Sequence, residues 1–331
     1  MTDLPQIARE LMTHGKGILA ADESTKSADA RLTSYGIIPS EEKRREFRDL
    51  FLSTPNVEEY LTGVIMYEET LDQKASSGKL FPAHLESKGI IPGIKVDMGT
   101  EPMPGSPKEL ITGGLLGLEE RLAAFKAKYH TGFTKWRAVV RIDGTKLPTT
   151  SSILENAKRL AQYAYVVQEA GMVPIVEPEV LYEGTHSILR SKEVLQQTLT
   201  LVIETMKDKN VDLSAVIVKT SMALSGKETG RIDSPEEVAE HTLDALMAAV
   251  PSEVPGIVFL SGGQGNDQAT DNLAAISKRA KEINTPWPLT FSYSRALQDE
   301  ALTEWKGESS NVDSARAVFI SRLQKVVAAL S

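Results

Sequence analysis

A single (β/α)8 barrel, the TIM barrel class, is the fold predicted by this 331-residue sequence. Three observations predict it. Eight short β-rich runs recur along the chain, helical segments separate them, and no proline-rich or low-complexity linker intervenes. The runs are Gly17–Asp22, Gly63–Tyr67, Gly93–Asp97, Arg137–Asp143, Val173–Glu177, Ala215–Lys219, Gly256–Leu260 and Leu289–Ser292. Most are continuously hydrophobic rather than alternating, as strands covered on both faces are, which favours a parallel sheet wrapped by helices.

The helical segments carry their own signals. After the third run, Leu118, Leu122 and Phe125 recur at helical spacing. Between the fourth and fifth, Ile153, Leu154, Ala157, Leu160, Ala161, Ala164 and Val167 form one apolar stripe that stops at Gly171. Between the sixth and seventh, Ser234-Pro-Glu-Glu237 sets an N-cap serine, a proline at the first helical position and a capping-box glutamate ahead of Val238, Thr242, Leu243 and Leu246. Ala315 to Leu330 reads as a closing helix, with Val318, Phe319, Leu323, Val326 and Val327 apolar. A doubly wound open sheet is the competing architecture, and the lack of a Gly-x-Gly-x-x-Gly turn after the first run counts against it. Residues 1–331 are therefore expected to form one barrel domain, since such barrels stay single beyond the usual domain size.

Composition narrows the function classes. With 41% hydrophobic and 25% charged residues the chain is an ordinary globular one, and no window approaches the ~18 apolar residues of a membrane span. The N-terminus MTDLPQIARELMTHGKG lacks a basic segment followed by an apolar one, so a cytoplasmic location is expected. A net charge of -8 argues against nucleic acid as a bulk partner, because duplex binding needs a basic face. The absence of cysteine excludes disulfides, thiol catalysis and cysteine-ligated zinc.

In barrels of this class the active site forms at the carboxyl ends of the strands. Charge is dense there. The first run ends in Asp22, with Glu23 and Ser24 following; the third carries Lys95 and Asp97; Lys135 and Arg137 open the fourth; Glu177-Pro-Glu179 closes the fifth. Residues two apart on a strand share a face, so Lys95 with Asp97, Lys135 with Arg137, and Glu177 with Glu179 can each project together into the barrel; any one pair alone also reads as a rim salt bridge, but several converge at one mouth. The sixth run, Ser214-Ala-Val-Ile-Val-Lys-Thr-Ser221, ends in a lone lysine among β-branched residues. Burial disfavours an ammonium, so Lys219 either snorkels its head to water or is an amine held partly neutral and able to attack a carbonyl. The last two runs lead into Leu260-Ser-Gly-Gly263 and Ser292-Tyr-Ser-Arg295. Barrel enzymes commonly hold a phosphate at this place, on loop amides and a helix N-terminus, and an arginine adds a fork-shaped cation.

Taken together, Ala20-Ala-Asp-Glu-Ser24, Gly93-Ile-Lys-Val-Asp97, Lys135-Trp-Arg137, Ile175-Val-Glu-Pro-Glu179, Lys219, Leu260-Ser-Gly-Gly263 and Phe291-Ser-Tyr-Ser-Arg295 closely resemble the class I fructose-1,6-bisphosphate aldolases. The likeness runs in order from about Gly15 to Leu297. It implies reversible cleavage of fructose 1,6-bisphosphate to dihydroxyacetone phosphate and glyceraldehyde 3-phosphate, without a cofactor or metal, by a homotetramer. Carried over residue by residue, it implies Lys219 as the Schiff-base lysine, Glu177 as the acid/base, Asp22 and Lys135 as catalytic partners, and Glu179, Arg137 and Arg31 as support. It further implies Ser261, Gly262, Ser292, Ser294 and Arg295 at the C1 phosphate, and Ser24, Ser27 and Lys95 at the C6 phosphate. Glu177 suits proton transfer if burial and its neighbours raise its pKa toward neutrality, while like-charge proximity to Lys135 would keep Lys219 deprotonated.

Three positions depart from the family pattern. Lys26 stands where the animal enzymes have glycine, which suggests an added cation near the C6 phosphate. Ser294 replaces a glycine, keeping the backbone donor but losing freedom at positive φ. The sequence ends at Val-Val-Ala-Ala-Leu-Ser331 without the terminal tyrosine used in proton exchange by the animal enzymes. Metal-dependent aldolases form the enzymatic contrast, yet His14, His84, His130, His186 and His241 make no short ligand pair. The same residues also fit a Schiff-base barrel for another phosphorylated ketose. A non-catalytic phosphosugar-binding scaffold is disfavoured, because Lys219, Glu177, Asp22 and Lys135 are all retained and binding alone needs only the phosphate loops.

Overall fold

The computed structural model describes residues 3–331. Its strands, in chain order, are β1 (Gly17–Ala21), β2 (Leu61–Met66), β3 (Ile91–Lys95), β4 (Thr100–Met103), β5 (Ser106–Thr112), β6 (Phe133–Val140), β7 (Val173–Val180), β8 (Ile217–Thr220), β9 (Gly256–Phe259) and β10 (Leu289–Phe291). All except β4 and β5 belong to one eight-stranded parallel sheet. Within it each strand pairs with the next in sequence, and helices fill the crossovers, so the sheet curls into a (β/α)8 barrel. The ladder is weakest at the seam between β10 and β1, where the Ala20 N–H donates to the Tyr293 carbonyl at 2.9 Å. No helix among the described residues is long and apolar enough to cross a membrane.

The expected helices form, though the closing one starts and ends earlier than the Ala315–Leu330 read from the sequence. The stripe after the fourth barrel strand becomes Thr150–Glu169, with Gly171 at φ 74° just beyond it. Pro235–Ala249 begins on a complete Ser234/Glu237 capping box, and the last helix runs Val312–Ala328. Two features have no counterpart in the sequence pattern. Strands β4 and β5 form an antiparallel hairpin after β3. The buried carboxylate of Glu109 anchors this hairpin by accepting from the Thr149 N–H at 2.7 Å and its hydroxyl at 2.8 Å. The second feature is the N-terminal helix Leu4–Leu11, whose Ala8 and Leu11, followed by Met12, plug the barrel floor.

The barrel interior is layered, and this layering creates the site. Ile18, Ala20, Ile65, Phe133, Val173, Ile175, Ile217 and Val258 form the apolar lower layers above the plug. Glycine makes room for them: a Cβ on Gly93 would lie 2.2 Å from the Phe133 ring. Continuing each strand by twos from these inward residues leads to Lys135 and Arg137 on β6, Glu177 and Glu179 on β7, and Lys219 on β8. β6 starts four residues earlier than the sequence suggests, so Lys135 and Arg137 lie in mid-strand rather than opening it. Arg137 pairs in register with Glu177, and Lys135 with Ile175, which sets the charged layer immediately above the apolar one.

Candidate active site

A cavity of about 660 Å³ opens above this charged layer at the carboxyl ends of the strands. Its wall includes Asp22, Lys135, Arg137, Glu177, Glu179 and Lys219 at the centre, Ser24, Ser27 and Lys95 on one side, and Ser261, Gly262, Ser292, Ser294 and Arg295 on another. Every site residue read from the sequence is brought to this cavity except Arg31.

Lys219 does not snorkel. Its side chain is 4% exposed, and its Nζ lies 3.1 Å from Glu177 Oε1. The other Glu177 oxygen, Oε2, lies 3.0 Å from Lys135 Nζ, which in turn sits 2.6 Å from Asp22 Oδ2. The result is an alternating chain of charges, Asp22–Lys135–Glu177–Lys219, largely shielded from bulk water. Glu177 Oε2 is within ion-pair distance of Lys135 but has no aligned hydrogen-bond donor, so this buried acceptor stays available at the cavity wall.

The electrostatics correct one expectation. Burial pushes the Glu177 carboxyl up, but Lys135 and Lys219 together outweigh it, and the net shift is below the ordinary carboxylate value. Glu177 is thus held as a carboxylate by its two lysine neighbours. Asp22 behaves alike: burial raises it, and Lys135 followed by Lys219 pulls it lower. For Lys135, burial favours the neutral amine, but Asp22, Glu177 and Asp97 reverse this and push its pKa well above the usual lysine value. Lys135 is consequently a fixed cation.

The flanks of the cavity hold two groups of anion-binding residues. After β9, Gly262 and Gly263 adopt φ 60° and 91°, a conformation that presents loop amides and that few other residues tolerate. A Cβ on Gly263 would meet an Arg295 guanidinium nitrogen at 3.4 Å, so the arginine lies against this loop. The buried Ser292 hydroxyl nearby has no hydrogen-bond partner. On the other side Ser24 caps the helix Thr25–Ser34 by accepting from the Ser27 N–H at 3.3 Å, and the two hydroxyls are 3.0 Å apart. Lys95 Nζ is held 2.6 Å from Asp97 Oδ1, and Asp97 Oδ2 accepts from the Arg137 N–H at 3.2 Å. Glu179 accepts from Arg137 Nε and fixes the guanidinium at the rim.

Several expectations change. Lys26 is exposed and does not line the cavity, so it adds no cation to the wall. Ser294 has φ −111°, so the glycine it replaces is not required here for a positive φ. Arg31 lies outside the cavity and bonds to Glu23, Ser294, Gln298 and Asp299, tying two helices together. Tyr67, Glu68 and Arg121 line the wall without having been singled out. The first two directly follow β2, where the strand-end rule points to them; Arg121 comes from a helix and has no local signal. At the other end of the barrel, His14, Trp287, Ser277 and Leu330 line a separate cavity of about 400 Å³.

The profile of the family Fructose-bisphosphate aldolase class-I matches residues 3–331. The chain belongs to that family. As a class I aldolase it is an enzyme of the lyase class. Fructose-bisphosphate aldolase 4, cytosolic, of Arabidopsis thaliana is 45% identical over 313 residues, covering 94% of this chain and 78% of the plant protein. A probable fructose-bisphosphate aldolase class 1 of Xanthomonas axonopodis pv. citri is 43% identical, covering 97% of this chain and 95% of its own. The co-crystal structure of fructose-bisphosphate aldolase from Plasmodium falciparum superposes with a TM-score of 0.95 at 39% identity, covering 99% of this chain and 93% of that one.

Proposed function

We propose that this aldolase cleaves fructose 1,6-bisphosphate to dihydroxyacetone phosphate and glyceraldehyde 3-phosphate through an imine on Lys219. The observation that carries this reading is the buried Lys219–Glu177 contact at 3.1 Å, beside Lys135 and Asp22. Glu177 accepts a proton from the Lys219 ammonium, and the free amine then attacks the C2 carbonyl. Once that proton has moved, one of the two cations that hold Glu177 below its ordinary pKa is gone, and the carboxyl returns the proton to the carbinolamine oxygen. Water leaves, and a protonated imine remains. The carboxylate next removes the C4 hydroxyl proton; the C3–C4 bond breaks, its electrons pass into the imine, and the aldehyde leaves an enamine behind. Protonation at C3 and hydrolysis release the ketose phosphate. Lys135, fixed as a cation, steadies Asp22 and Glu177 throughout, and Asp22 orients the C4 hydroxyl.

Borohydride trapping with dihydroxyacetone phosphate, followed by peptide mass mapping, tests this directly. One irreversible adduct on Lys219 is expected, and equal labelling elsewhere would sink the assignment. Because the imine is the electron sink, prolonged chelation should leave cleavage activity unchanged; a loss restored by zinc would favour metal chemistry instead.

The two flanks are assigned to the two phosphates, with Ser261, Gly262, Ser292 and Arg295 at C1 and Ser24, Ser27 and Lys95 at C6. Arg295→Ala should weaken dihydroxyacetone phosphate and fructose 1,6-bisphosphate alike, by roughly 1.5–3 kcal/mol for a lost charged hydrogen bond. Lys95→Ala should raise KM for the bisphosphate while sparing fructose 1-phosphate. Equal losses on both sugars would contradict the assignment. The reading also takes the chain as one barrel domain closed by the helix Val312–Ala328, assembled as a cytoplasmic homotetramer. Support for the location comes from relatives named cytosolic in Arabidopsis thaliana and cytoplasmic isozyme in Spinacia oleracea.

A further inference from the structure

The seam where β10 meets β1 separates two loops that the proposed function assigns to opposite ends of the substrate. The β1 loop carries Asp22, Glu23 and Ser24; the β10 loop carries Ser292, Ser294 and Arg295. Few backbone bonds cross this seam. A polar cluster does. The Ser294 hydroxyl donates to Glu23 Oε1 at 2.9 Å and accepts from Arg31 NH1 at 3.2 Å. Arg31 also bonds to the same Glu23 carboxylate, to Gln298 Oε1 at 2.6 Å and to Asp299 Oδ1 at 2.7 Å. Ser294 heads the helix Arg295–Trp305 without capping a backbone N–H, and its shorter bond is to Glu23 of the neighbouring loop, its contact with Gln298 Oε1 of its own helix being longer at 3.4 Å.

We propose that Ser294 is a positioning residue, whose hydroxyl clasps Glu23 and thereby presets both phosphate-binding loops before substrate enters. Two physical effects combine. Glu23 lines the cavity as a carboxylate, and an anion there repels an incoming phosphate unless its charge is taken up elsewhere. Arg31 and Ser294 take it up, and no carboxylate pairs with Arg295 among the described residues, leaving that guanidinium against the Gly263 amide loop for the ligand. The second effect is preorganisation: loops already joined lose less freedom on binding. A glycine at 294 has no hydroxyl with which to make this bond.

The inference rests on the proposed phosphate sites but is testable without imine chemistry. With inorganic phosphate as the probe, Ser294→Ala should raise Kd about tenfold, the scale of one hydrogen bond to a charged group. Ser294→Thr, which keeps the hydroxyl, should restore it. In steady state, KM for fructose 1,6-bisphosphate should rise in Ser294→Ala with kcat near its original value, a split that general loosening of the fold would not produce. In a double-mutant cycle, Ser294→Ala should cost little once Glu23 is replaced by alanine, because the clasp is already broken. Wild-type phosphate affinity in Ser294→Ala, or additive effects in the cycle, overturns the clasp. If Ser294→Ala does not fold, phosphate binding by Glu23→Ala decides: a raised Kd is expected from the lost preorganisation, and an unchanged or lowered one overturns the clasp. A wild-type enzyme that binds phosphate but fails to trap dihydroxyacetone phosphate would instead overturn the imine reading.

Discussion

Lys219→Arg is expected to abolish both cleavage and borohydride trapping while leaving phosphate binding intact. A guanidinium stays protonated at any working pH and has no free lone pair for the C2 carbonyl, so the imine cannot form. Its positive charge still balances Glu177, whose Oε1 sits 3.1 Å from the native Nζ. The substitution therefore removes the nucleophile with the least disturbance of the buried charge chain. Residual trapping at a second lysine, with measurable cleavage, would show that the nucleophile lies elsewhere. Lys219→Met is the harsher comparison. It leaves Glu177 with one cation fewer in a buried site, and stripping one partner from a buried pair typically costs about 3–5 kcal/mol of stability.

Glu177→Gln should be the next most damaging change, lowering kcat by roughly 10²–10⁴, the usual worth of a positioned acid/base group. Trapping should become slow yet still mark Lys219, because the amine survives and only the proton carrier is lost. The pH profile adds a signed test. In the free enzyme Glu177 titrates below its ordinary value of 4.5, because Lys135 and Lys219 outweigh burial. The acid limb of kcat/KM should accordingly fall below that value, and Lys135→Met should move it upward. Stability follows the same sign. Asp22 and Glu177 both have lowered pKa values in the folded state, so their contribution is complete above the ordinary values of 3.8 and 4.5 and disappears as pH falls through the folded ones. An acid limb well above 4.5 in the native enzyme would mean that desolvation wins over the two lysines after all.

Where sequence reasoning fell short, the missing information was three-dimensional. The floor helix Leu4–Leu11 has a strong apolar face, but nothing local says that this face plugs a barrel. The hairpin Thr100–Thr112 contains Pro102, Pro104 and Gly105, which read as loop, and it is held by Glu109, whose partner Thr149 is 40 residues away. Glu177 illustrates the same limit in its chemistry. From one dimension, burial was the foreseeable influence and pointed upward; the sign turned on Lys135 and Lys219, which lie 3.0 and 3.1 Å from its carboxylate oxygens.

By itself, the sequence determined the eight-fold alternation of strand and helix, because hydrophobic period and end signals are local properties of the chain. It also determined the chemical inventory at the strand ends, from Asp22 through Lys219 to Arg295, because a residue two positions beyond an inward-facing one must face inward as well. Only the tertiary structure decided which of these charges are partners and which protonation state each prefers. Arg31, Lys26 and Ser294 show the division most clearly. All three stand in or near recognisable motifs, yet one ties helices outside the cavity, one points to solvent, and one bonds across the barrel seam. Electrostatic interaction depends on distances and burial that arise when remote strands are brought together, and no local pattern along the chain encodes those distances.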